Sequence, residues 1–172
     1  MIRLILALLI IGAVGPASGG RVAAAQAPVG PPLRDVLPAE GLIGSSVVDL
    51  RVQADLDAHY YIADERVLGL GPKTDAVFAR YRAGAGEALL LVVAYPSLED
   101  AGRVYGRFGG DFFSEDFDPM SPRVVERIET GDWAGAARRD RFLIVVLEAP
   151  DKASCESLLG RAVDRIAASK AG

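Results

Sequence analysis

The sequence predicts an α+β fold: a two-layer domain in which an antiparallel sheet carries two main helices packed on one of its faces. Three observations lead there. Ala88 to Tyr95 and Phe142 to Leu147 are nearly continuous apolar runs of strand length, each preceded by a shorter strand-like segment and a tight turn. Each run is followed by a proline and then by a segment with helical spacing of its apolar residues. The two stretches also echo each other at an offset of 54 residues. Leu89 to Tyr95, Pro96, Ser97 and Gly106-Arg107 match Leu143 to Ala149, Pro150, Asp151 and Gly160-Arg161. A strand–strand–helix unit used twice accounts for this pattern, and low identity leaves duplication and convergence both open.

The chain opens with Met1-Ile2-Arg3, an apolar stretch of 11 residues from Leu4 to Val14, then Gly15-Pro16 and small residues. A cationic start, a short apolar core and a small-residue exit make a secretory signal peptide. Spanning a bilayer takes about 20 apolar residues, so a retained anchor is the weaker reading. Cleavage after Ala25 satisfies the small-x-small rule through Ala23 and Ala25. With no cysteine near the cut and no twin arginine, the general secretory route is expected, ending in a periplasmic or secreted location. After residues 1–25, the segment 26–43 is expected to be an extended arm, since four prolines fall in the thirteen residues from Gln26 to Pro38.

A single domain is then expected over residues 44–170. Val47 to Val52 reads as a short strand, followed by a brief helical or irregular piece through Leu56 and Tyr61. Val67 to Leu70 is an apolar patch stopped by Gly71-Pro72. Val77 to Arg82 alternates between two faces, Gly84-Ala85-Gly86 turns the chain, and Ala88 to Tyr95 returns as a strand covered on both faces or central in its sheet. Ser97 caps a helix with Leu98, Ala101, Val104, Tyr105 and Phe108 on one stripe, and Gly109-Gly110 ends or loosens it. Val124 to Ile128, Trp133 to Arg138 and Phe142 to Leu147 are strands separated by turns. Asp151 caps the last helix, whose apolar stripe includes Cys155, Leu158, Leu159, Ala162 and Ile166.

Composition excludes several chemistries. Of 172 residues, 19 are basic and 23 acidic, giving a net charge of −4. Cleavage after Ala25 removes Arg3 and Arg21 and no acid, leaving 17 basic against 23 acidic residues, a net of −6 over 147 residues. Such a balance, without a Lys/Arg run, provides no footprint for nucleic acid. One His and one Cys cannot build a zinc site of the Cys/His type or an intrachain disulfide. No metal site and no cofactor are expected, and no membrane span should remain after signal cleavage.

Between His59 and Ala149, the segments Tyr60-Tyr61-Ile62-Ala63-Asp64, Leu68-Gly69-Leu70-Gly71-Pro72, Ala79-Arg80-Tyr81, Tyr95-Pro96, Trp133 and Glu148-Ala149-Pro150 resemble an uncharacterised family of exported bacterial proteins, domain of unknown function 6599. The resemblance spans Leu37 to Ile166. It implies an exported, compact α+β domain and carries no catalytic or ligand-binding residues.

Four groups of residues are candidates for chemistry. Cys155 lies near a helix start, which favours a thiolate, but on the apolar stripe, where a small buried hydrophobe belongs. His59 is the one imidazole, with Asp55, Asp57 and Asp64 nearby in sequence, yet no Gly-x-Ser-x-Gly nucleophile elbow accompanies it. Glu65-Arg66, Arg80, Arg82, Arg138, Arg139 and Arg141 could line an anion pocket or form surface ion pairs. The most unusual segment is Asp111 to Met120. Its carboxylates Asp111, Glu115, Asp116 and Asp118 offer oxygens to Ca²⁺ without an EF-hand pattern. Its rings Phe112, Phe113 and Phe117 either form an exposed contact for a ligand or fold back to close the end of the sheet.

The function expected from these readings is a non-enzymatic binding or interaction domain of the cell envelope. Its partner would be an envelope protein or an apolar small molecule held by Phe112, Phe113, Glu115, Asp116, Phe117 and Asp118. An enzyme using His59 and a nearby carboxylate, or a purely structural envelope component, are the alternatives.

Overall fold

The computed structural model describes residues 33–62 and 67–169. The expected signal peptide with its cleavage site, the first part of the expected proline-rich arm, and Asp64, Glu65 and Arg66 lie outside the described residues. The domain is α+β, with a six-stranded antiparallel sheet in the order β1-β2-β3-β6-β5-β4. The strands are β1 (Val48–Leu50), β2 (Asp75–Ala83), β3 (Gly86–Ala94), β4 (Arg123–Arg127), β5 (Trp133–Arg139) and β6 (Phe142–Ala149). Helix α1 (Gln53–Asp57) follows β1, α2 (Leu98–Phe112) links β3 to β4, and α3 (Lys152–Ala168) ends the domain.

Two tight hairpins, β2–β3 and β5–β6, form where turn residues allow. Ala83 pairs with Gly86, so Gly84-Ala85 is a two-residue turn, and Gly84 takes φ 55. This left-handed first position is where glycine is needed in a tight hairpin. Arg139 pairs with Phe142, with Asp140 at φ 52 in the corresponding place. The predicted caps are present: the Ser97 side chain accepts from the Asp100 N–H, and Asp151 accepts from the Ser154 N–H.

The sheet is symmetric in order, β1-β2-β3 mirroring β4-β5-β6. Leu91 lies opposite Val145, the two residues related by the 54-residue offset, so the echo in the sequence is centred on the β3–β6 ladder.

The two main helices, expected on one face, pack on opposite faces. Leu89, Leu91, Val93, Leu143, Val145 and Leu147 point into the layer with α1 and α2. Leu90, Val92, Ile144 and Val146 point into the layer with α3, against Cys155, Leu158, Leu159, Ala162 and Ile166. The symmetry breaks at one residue. In β3, Val93 and then Tyr95 both face α2, as strict alternation requires. In β6, Leu147 faces α2 but Ala149 faces α3. Between them Glu148 adopts φ 54, and the β5–β6 register shifts between Trp133 and Gly135. This bulge turns the exit of β6 to the other side, so α3 covers the face that α2 leaves bare.

A second correction concerns the arm expected over 26–43. A 3-10 turn at Leu33–Val36 begins the described residues, and Val36 and Leu37 are 1% and 5% exposed in the α3 layer. The Tyr81 hydroxyl reaches back to donate to the Pro38 carbonyl at 2.9 Å. Packing thus already includes Val36 and Leu37, ahead of Gly44.

Helix α2 also runs past Gly109-Gly110 to Phe112. Gly109 serves a close approach instead of a stop. A Cβ built there would lie 2.0 Å from the Phe117 ring. Among the described residues no helix is long and apolar enough to cross a membrane.

Candidate functional site

The acidic-aromatic segment does not hang free. Asp111 and Phe112 form the last turn of α2, and the chain folds back so that Phe113 and Phe117 lie against the helix they left. Phe108 stacks on Phe112 with ring centres 5.0 Å apart, Phe112 meets Phe113 edge-on at 5.3 Å, and Phe117 meets Tyr105 edge-on at 5.4 Å. Phe112, Phe113 and Phe117 are each half-buried. The exposed-contact reading therefore needs correction for Phe117, whose ring sits on Gly109.

The acids of this segment spread outward. Glu115 and Asp116 are exposed and make no hydrogen bond among the described residues. Asp118 accepts from the Met120 N–H at 2.8 Å, a local turn. No three His, Cys, Asp or Glu side chains among the described residues are placed to hold a metal ion. The calcium reading of the loop accordingly has no ligand set.

What the fold-back builds is a cleft. Ser114 donates its N–H and its hydroxyl to the two carboxylate oxygens of Glu126, at 3.0 and 3.1 Å, tying the end of α2 to β4. Beyond β4 the chain turns at Gly131, φ 94, whose carbonyl accepts from Arg127 Nε at 2.8 Å. Thr130 donates to Asp132 in the same turn. Residues 111–114 form one wall, residues 126–130 the other, and Tyr60 closes the end, enclosing about 590 Å³. A second pocket of about 230 Å³ shares Tyr60, Asp111 and Phe112 and continues toward Tyr61, Ile62 and Val67. Tyr61 is 68% exposed at its mouth.

The walls are aromatic and the electrostatics negative. Burial raises the Tyr60 hydroxyl above its ordinary pKa of 10, and the carboxylates of Glu148 and Asp132 raise it further. Among the described residues, Asp111, Glu126 and Glu129 line the cleft against one cation, Arg127.

Of the six residues expected from sequence to bind a ligand, Phe112 and Phe113 line this cleft and Glu115, Asp116, Phe117 and Asp118 do not. Sequence reasoning missed Tyr60 and the turn after β4. Tyr60-Tyr61 was visible as an aromatic pair, and Glu126 and Glu129 as acids around a turn. That they meet the end of α2 depends on the crossover from β3 to the far edge strand, which spacing alone does not reveal.

The remaining candidates separate. His59 is exposed and stacks on Phe78 at 5.8 Å. Asp57 accepts from Gln53, and Asp55 accepts from the N–H groups of Arg51 and Val52, so neither hydrogen-bonds the imidazole. Cys155 is fully buried, and burial pushes its thiol up to about 12. The arginines also disperse. Arg80 lies 3.6 Å from Glu87, Arg138 sits over the Tyr105 ring, Arg139 pairs with Asp140, and Arg141 donates to the Tyr95 carbonyl. On the α3 face, a pocket of about 330 Å³ holds the ion pair of Arg161 and Glu40 at 3.1 Å, with Ser157 also at Arg161.

No family model matches the chain, and no curated protein matches it detectably.

Proposed function

We propose that this protein is an exported, non-enzymatic binding domain of the bacterial cell envelope, and that it holds a small, largely apolar molecule in the cleft between Tyr60, the end of α2 and the turn after β4. The observation that carries the reading is the cleft itself. Its volume of about 590 Å³ falls within the range of small-molecule sites, and its walls combine aromatic rings with a few convergent polar groups. The signal-like N-terminus and the resemblance to the exported family domain of unknown function 6599 support the location. The exposed imidazole of His59, which no described carboxylate hydrogen-bonds, and the buried thiol of Cys155 favour binding over catalysis.

The test is the intact mass, under native conditions, of protein recovered from its export compartment. The reading expects a mass above the bare chain that returns to it on denaturation. Glu129→Trp, which fills the cleft from an exposed position, should abolish the excess while leaving the unfolding midpoint unchanged. A bare mass for the unaltered protein would end this reading.

A further inference from the structure

We infer that the cleft selects a small organic cation, an ammonium or guanidinium group carried on an apolar or aromatic body. The inference deepens the binding reading above and rests on it. Two independent observations converge.

The first is unbalanced charge. Seven ion pairs join side chains of the described residues, and every one lies elsewhere: Asp49, Asp75, Glu87, Asp100, Asp140, Glu156 and Glu40 each have an Arg or Lys partner. Among the described residues Asp111 and Glu129 in the cleft have none, and Glu126 accepts from Ser114. Arg127 is the one cation among the described lining residues, and its Nε donates to the Gly131 carbonyl. Three acids against one base leave the lining at a net of −2. Two further carboxylates, Glu148 and Asp132, lie near enough to Tyr60 to raise its hydroxyl. A concave site lined by one sign of charge focuses such a field more than an open surface does.

The second is the state of the rings. Elsewhere in the domain the chain's own cations lie over aromatic faces, Arg138 over Tyr105, Arg141 over Phe142 and Lys152 over Trp133. Among the described residues no cation covers Tyr60, Phe112 or Phe113. An aromatic face attracts a cation through its quadrupole, and the attraction grows as water is excluded. Open rings beside unpaired carboxylates match a ligand with a positive head and an apolar body. An anionic ligand would meet repulsion from the same carboxylates. A neutral one would leave them unpaired.

Benzyltrimethylammonium is a suitable probe, titrated into the purified protein while backbone amide resonances are followed. Benzyl alcohol and benzenesulfonate serve as its neutral and anionic counterparts. The expected result is that shifts cluster at Tyr60, residues 111–114 and residues 126–130. The cation should bind about tenfold or more tightly than benzyl alcohol, from charge pairing plus the cation–ring term. The double substitution Asp111→Asn with Glu129→Gln should remove most of that preference without removing the residual ring contact. Equal affinity for the alcohol, tighter binding of the sulfonate, shifts centred elsewhere or no binding would overturn the inference. If the native mass nevertheless shows a bound neutral or anionic molecule that Glu129→Trp removes, the cleft stands as a site and only the ligand class is wrong. A bare native mass together with no probe binding removes both.

Discussion

Two adjacent glycines in α2 should respond to alanine with opposite signs. At Gly110 a Cβ meets nothing within 4 Å, and the position is exposed. Gly110→Ala should therefore show the bare helix-propensity gain, up to about 1 kcal/mol. At Gly109 the same propensity gain applies, but the new methyl would sit 2.0 Å from the Phe117 ring, against 3.4 Å or more for ordinary contact. Backbone on one side and a ring on the other leave one relief, which is for Phe117 to leave its seat on Tyr105 and Phe113. Truncating a fully buried Phe costs about 3–5 kcal/mol, so losing a half-buried one costs about 2 kcal/mol, more than the propensity gain. Gly109→Ala should then be destabilised by about 1 kcal/mol, and the two variants should differ by about 2 kcal/mol. With a urea m-value of about 2 kcal/mol/M, the midpoints would separate by about 1 M. The cycle is closed with Phe117→Ala: in that background Gly109→Ala should turn stabilising. If both glycine variants move together, the ring is not seated on the helix and the account of the folded-back segment is wrong.

Three other outcomes follow from particular contacts. Tyr105 is buried with its hydroxyl unpartnered among the described residues, while the Tyr95 hydroxyl donates to Leu68 at 2.7 Å. Tyr105→Phe should stabilise or be neutral and Tyr95→Phe should destabilise by about 1 kcal/mol, read from chemical denaturation. Glu148→Gly should raise stability by about 0.5–1 kcal/mol, because the bulge keeps its left-handed backbone without a Cβ penalty, and a drop would show that the Glu148 side chain holds the bulge. In acid, Asp100 and Asp151 titrate below the ordinary 3.8, Asp100 through hydrogen bonds from the Ser97 hydroxyl and from Arg103, and Asp151 through bonds from the Ser154 N–H and hydroxyl. Their folded pKa is depressed, so their contribution is complete above about 3.8 and is lost as pH falls through the lower folded values. In base the sign reverses: burial raises Tyr105 from 10 to about 12, so stability held below pH 10 declines as pH rises toward 12. Thermal midpoints across both ranges check this, and a flat profile would contradict it.

The strands, turns and caps were legible because each depends on a few neighbouring residues. Gly84 at a positive φ, Ser97 and Asp151 at helix starts, and the alternation of Val77 to Arg82 are local signals with local causes. The placement of α3 was not legible in the same way. Glu148 is an ordinary exposed acid in sequence, yet its left-handed backbone decides which face the last helix covers. A non-local hint existed all the same. Both central runs, Ala88 to Tyr95 and Phe142 to Leu147, are apolar at every position, and a strand apolar on both sides needs a cover on both. Two helices on one face could not have supplied it. The 54-residue echo pointed the other way, because a symmetric repeat places both helices on the same side.

Half of the candidate site was legible for a related reason. Phe112 and Phe113 stood out as aromatics among acids, and the stripe of α2 aims them toward the sheet. Phe117 shares that appearance, but its environment is set by Gly109, eight residues earlier and read from sequence as a helix stop. Tyr60 and Glu126 join the site only because α2 carries the chain across β6 and β5 to the opposite edge.

The most direct test of the binding account is a crystal structure of the protein recovered from its native cells with whatever accompanies it. The account predicts density for a small molecule between Tyr60 and Phe113, with its positive group toward Asp111 and Glu129. Density instead beside Arg161 on the α3 face, or an empty cleft in protein whose native mass shows a bound ligand, would contradict it.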